Sequence, residues 1–142
     1  MKKLAKIFAL VVVCVLAVTA LVACGGGAKP NTDYASAIEN LEKNGYEVQA
    51  IKATDEGAEL ALGTFATMYG IKFEDMEQAL MAMKGEELIQ MLWCKTEEAA
   101  KTVEKSANTL AEAAGEESGE AVIGRDGKVV WIATEAAIAA TK

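Results

Sequence analysis

The residues best suited to covalent chemistry are three cysteines, Cys14, Cys24 and Cys94, in a chain without histidine. A cysteine attacks as the thiolate and needs a neighbouring base, most often an imidazole, to become one. Cys14 sits inside an apolar run, and Cys94 ends the dense stretch Leu88–Cys94, where it reads as a buried strand residue. Soft metal chemistry has candidate ligands in Met68, Met76, Met81, Met83 and Met91, and Met81-Ala82-Met83 would set two thioethers on one strand face. Without histidine or paired cysteines these methionines read as adaptable core fillers, and no metal site is expected. Paired carboxylates recur at Asp55/Glu56, Glu74/Asp75, Glu86/Glu87, Glu97/Glu98 and Glu116/Glu117. Glycoside hydrolysis needs two such groups facing each other across a cleft. Neighbours at helix starts and in loops serve as caps and solvating charge instead, so no catalytic residue is assigned. Glu116–Glu120 lacks the alternating spacing of a calcium loop, and no phosphate-binding glycine motif, nucleophile elbow or Cys-x-x-Cys is present. Trp93 and Trp131 are candidates for a contact surface, should they line an open face.

Charge divides the chain at Cys24. Lys2, Lys3 and Lys6 precede an apolar segment from Ile7 to Val22, and none of the 21 acids lies before Cys24. From Cys24 onward eleven bases face 21 acids, a net charge of −10 with one arginine. Such a domain is a poor partner for nucleic acid, which is held through clustered bases. It would not adhere to anionic headgroups by charge either. A basic start, an apolar stretch and a small residue at a cut site define a secretory signal. Here the segment ends Leu21-Val22-Ala23-Cys24, followed by three glycines.

Leu21-Val22-Ala23-Cys24 resembles the lipobox of bacterial lipoproteins at all four positions. The whole chain resembles the small cell-surface lipoproteins of Firmicutes, specifically at the lipobox and only generally after it. The resemblance implies cleavage between Ala23 and Cys24, a diacylglyceryl group on the Cys24 sulfur and, where the new amine is acylated, a palmitate-type chain as well. Two acyl chains anchor stably where one does so only marginally, at roughly 0.8 kcal/mol per buried methylene. No other cofactor is implied. The expected location is the cell membrane, lipid-anchored and facing away from the cytoplasm. Residues 1–23 are then a helical signal peptide, residues 24–31 a lipidated cysteine and flexible glycine-rich tether, and residues 32–142 a single exported domain.

Within that domain, threonines mark helix starts. Thr32, Thr54, Thr96 and Thr134 each precede an acid, a pairing that caps orphan N–H groups and suits the positive helix end. Helices are expected over about 33–44, 55–69 and 97–114, with a short one after Thr134. The third should face the core with Ala100, Val103, Ala107, Leu110 and Ala114. Tyr46–Ile51 alternates as a strand. Met76–Met83 and Glu86–Cys94 flank Lys84-Gly85 as a hairpin, in preference to one helix broken by glycine. Ala121–Ile123 and Val129–Ile132 flank an Asp126-Gly127 turn.

The expected class is α+β. A mostly antiparallel sheet of four or five strands would carry helices on one face. Its core would be a ferredoxin-like β-α-β-β-α-β plan, with an added N-terminal helix and a C-terminal hairpin and helix. Such a plan does not specify function. The expected function is a membrane-tethered, non-enzymatic domain contacting a protein or cell-envelope component. The alternatives are a small-ligand module and, last, a hydrolase using surface carboxylates.

Overall fold

The computed structural model describes residues 29–114 and 121–142. The proposed leader, Cys24 and the acidic loop at 116–119 lie outside the described residues. Helix α1 (Tyr34–Lys43) leads into strand β1 (Glu47–Lys52) and helix α2 (Ala58–Met68). A single 3-10 turn at Phe73–Asp75 precedes strands β2 (Met76–Lys84) and β3 (Glu87–Cys94). Helix α3 (Glu97–Ala114), strands β4 (Ala121–Asp126) and β5 (Val129–Thr134) and helix α4 (Glu135–Ala140) complete the order. The class is α+β, with one five-stranded sheet.

Every pair in the sheet is antiparallel, in the order β1-β2-β3-β5-β4. The ferredoxin-like expectation is therefore not met. A split β-α-β unit leaves its two strands parallel with a third between them. Here β1 hydrogen-bonds directly to β2 across the α2 connection, from Glu47 opposite Met83 to Lys52 opposite Gln78. The expectation of helices on one face is also corrected. Helices α2 and α3 pack on one face against Ile51, Ala79, Met81, Leu92, Val130 and Ile132. Helices α1 and α4 cover the other, against Leu80, Ala82, Ile89, Met91, Trp93 and Trp131. The reason lies in β3, which is buried from Leu88 through Cys94 with no outward-facing polar position. A strand apolar on both sides needs cover on both sides.

Local signals decide the element ends. Two of the four threonine caps operate: Thr96 Oγ1 accepts from Ala99 N–H at 3.1 Å, and Thr134 Oγ1 from Ala137 N–H at 3.4 Å. The other two are corrected. Asp33 caps α1 in place of Thr32, its carboxylate accepting from Ser36 N–H at 3.0 Å. After Thr54, Asp55 closes a turn on β1 by accepting from Lys52 N–H at 2.8 Å, so α2 starts only at Ala58. Leu110, expected in the core, is 43 % exposed, and Ala111 takes the inward position. A register shift between Met76 and Gln78 turns Met76 onto the α2/α3 face, where it is fully buried.

Both hairpins turn through two residues beginning with glycine. Lys84 pairs with Glu87 around Gly85-Glu86, and Asp126 with Val129 around Gly127-Lys128. Gly85 and Gly127 have φ of 63° and 58°, the left-handed first position of such turns. On edge strand β4, Gly124 lies opposite Trp131. A Cβ there would stand 2.5 Å from the indole carbons, so the ring occupies the space a side chain would need. Gly124→Ala is expected to destabilise the domain by about 1–3 kcal/mol, the usual cost of overpacking. Urea denaturation followed by tryptophan fluorescence measures this, and an unchanged midpoint would mean the indole yields freely.

Candidate functional site

Two regions of the surface have the features of a site. One is the seat of the N-terminal segment, and the other is a groove over α2.

The N-terminal segment is tied to the domain before α1 begins. Pro30 is buried. Lys29 pairs with the Asp126 carboxylate at the end of β4. Asn31 N–H donates to Thr141 Oγ1 at 2.9 Å, and Thr141 O accepts from Asn40 Nδ2 at 2.8 Å, joining the segment, α1 and the chain after α4. Trp93 Nε1 donates to Thr32 O at 3.1 Å. The Tyr34 ring meets Trp93 edge-on at 5.3 Å, and Lys52 Nζ lies 5.5 Å from the Tyr34 centroid. Burial, helped by Asp55, pushes the Tyr34 hydroxyl up to about 12. Residues 29–31, read as tether, are thus part of the folded body.

These contacts also settle the tryptophans. Trp93 is 7 % exposed and Trp131 6 %, both under α1 and α4. Neither forms a surface, because each indole is used to close the sheet's second face. Among the described residues the exposed large apolar ones are Leu60 and Leu110, at 58 % and 43 %.

Leu60 lines the groove. Gly63, Thr64 and Thr67 follow it along the outer side of α2, and Ile71 and Phe73 form the opposite bank. The volume is about 740 Å³ and open to solvent, with Glu59 and Lys72 on its rim. Helix α2 buries Ala58, Ala61, Leu62, Phe65 and Ala66 inward, yet its outer side is also poor in charge. No sequence period announces this groove, since Ile71 and Phe73 reach it from a turn.

Several other chemistry-bearing groups among the described residues have structural roles. Cys94 is 1 % exposed, and burial, with Asp75 adding to it, pushes its thiol up from about 9 to about 11. Met76, Met81 and Met91 are buried in the core. Among the described residues no three His, Cys, Asp or Glu side chains converge as metal ligands. The carboxylate pairs are split between tasks. Asp55 and Asp75 close turns onto Lys52 and Lys72, Glu97 and Glu104 hold Arg125, and Glu87 accepts from the Tyr46 hydroxyl. Gln90 is buried at the sheet centre, where Tyr69 Oη donates to its Oε1 at 3.1 Å and its Nε2 has no partner among the described residues.

No helix of the described residues is long and apolar enough to cross a membrane. Comparison of the chain with protein-family models, with curated proteins and with solved structures gives no match.

The Cys94 thiol carries a pH dependence of stability. Its folded state holds the proton more tightly than the unfolded chain does. The contribution is therefore complete below pH about 9 and is lost as pH rises towards about 11. Denaturation midpoints should fall across that window, and less steeply in Cys94→Ala. Equal slopes in the two proteins would show that another group dominates.

Proposed function

We propose that this protein is a lipid-anchored extracytoplasmic domain, held at the cell membrane through Cys24, that works by contact with a protein or other envelope component and performs no catalysis. The anchor rests on Leu21-Val22-Ala23-Cys24 after a basic and apolar leader. The contact surface is the groove over α2. The observation that carries it is Leu60, a large apolar side chain 58 % exposed beside Ile71 and Phe73. An apolar groove rimmed by polar residues is the usual form of a surface kept for a partner. Its openness favours a macromolecule over a small ligand, which a pocket ordinarily buries by roughly 70–90 %.

Cys24→Ala is expected to release the protein from the membrane fraction, and mass spectrometry of the wild-type N-terminus to find a diacylglyceryl cysteine. Retention of Cys24→Ala in the membrane would overturn the anchor. For the groove, a photocrosslinking residue at Thr67 should yield a discrete adduct in intact cells that Leu60→Asp removes while far-UV circular dichroism stays unchanged. An adduct that survives Leu60→Asp would place the contact elsewhere.

A further inference from the structure

The seat of the N-terminal segment fixes which end of the domain the anchor can reach. Lys29, Pro30 and Thr32 are held by Asp126, by burial and by Trp93. Trp93 is opposite Val129 and Gln78, and Cys94 is opposite Met76 and donates its N–H to Lys128 O at 2.9 Å. The segment therefore ends beside the Gly127-Lys128 turn, at the end of the sheet where β2 starts and β3 stops. The Gly85-Glu86 turn lies at the other end. Between them runs β2, nine residues long, which spans about 30 Å.

Four residues separate Cys24 from Lys29, so five Cα–Cα steps join the two. Five such steps cannot extend beyond about 18 Å. That reach is shorter than the sheet. A cysteine fixed at the bilayer surface therefore keeps the Gly127-Lys128 end within its radius, while the Gly85-Glu86 end can stand beyond it.

We infer that the bilayer surface is the neighbour of the Gly127-Lys128 end of the sheet, and that the Gly85-Glu86 end points away from the membrane. This rests on the lipid-anchor reading of Cys24. Charge does not select the end. Lys29, Lys52, Lys95 and Lys128 gather there, but Asp55, Glu77, Glu97 and Asp126 do too. The short covalent link and its docked seat impose the orientation. The net charge of −10 from Cys24 onward opposes lying flat on anionic lipid.

The test uses the full chain, purified with its anchor and reconstituted in vesicles of phosphatidylcholine and phosphatidylglycerol. A bimane is attached to Lys128→Cys or to Glu86→Cys, both exposed positions, with the buried Cys94 left in place. Vesicles containing nitroxide-headgroup lipid should quench the Lys128→Cys label several-fold more than the Glu86→Cys label. A long Gly-Ser insert between Gly27 and Ala28 should erase that difference. Equal or reversed quenching in protein whose Cys24 diacylglyceryl group is verified by mass spectrometry overturns the orientation and leaves the anchor standing. A contrast that persists with the long insert also overturns it, because the short link would then not be the cause. Absence of the lipid on Cys24 overturns the anchor reading and this inference together.

Discussion

Strand β3 makes the strongest demand on the rest of the molecule. Leu88–Cys94 sends large side chains to both sides of the sheet and exposes none of them. At roughly 25 cal/mol per Å² of apolar surface removed from water, leaving either side open would forfeit several kcal/mol. The chain meets the demand by splitting its helices. The inter-strand helices α2 and α3 cover the side bearing Leu92 and Cys94. The flanking helices α1 and α4, one at each end of the described chain, cover the side bearing Ile89, Met91 and Trp93. Residues distant in sequence must therefore be brought together. Asn40 and Asn44 of the α1 end donate to the carbonyls of Thr141 and Ala140 across that face.

Much of this is legible in the amino-acid sequence. The hairpin at β2–β3 follows from Gly85 between two apolar runs, and α3 from its Thr96 cap and its alanine-rich face. The strand alternation of Tyr46, Val48 and Ala50 reports the face that α1 covers. Other readings failed for physical reasons. The count of helices was compatible with one covered face, but the run in β3, apolar on both sides but for Gln90, was the signal for two. The ferredoxin-like order failed because element order does not state which strands pair. The α2 connection, with turns closed by Asp55 and Asp75, returns the chain beside β1 and leaves no gap for a third strand. The cap at Thr32 failed by one position, since Asp33 offers a carboxylate where the hydroxyl was expected.

The site was less legible than the fold. Exposed apolar residues are recognised by what fails to cover them, which a period along one helix cannot show. Leu60 falls on a helix whose inward residues are also apolar, so sequence alone does not distinguish its two sides. The tryptophans misled in the opposite direction. A large aromatic with a polar N–H suits both an interface and a core, and the choice turns on whether a carbonyl is within reach. Trp131 lies over Gly124, where the strand offers no side chain to compete, and Trp93 finds Thr32 O. Neither partner is adjacent in sequence.

That last contact joins the core to the N-terminal segment. Trp93 cannot be buried without an acceptor for its N–H except at a cost of about 1–3 kcal/mol. The acceptor comes from the backbone of the segment that leads back to Cys24. The packing that closes the second face of the sheet therefore also decides where the N-terminal segment leaves the domain. A substitution at Trp93 would thus act twice, by opening the α1/α4 face and by freeing the seat of Thr32. Under the proposed anchoring at Cys24, the direction in which the domain is presented is a property of its folded core, while Cys24 supplies only the attachment. Under the same proposal a longer leash would keep the location and lose the orientation, so the four residues between Cys24 and Lys29 matter by their number.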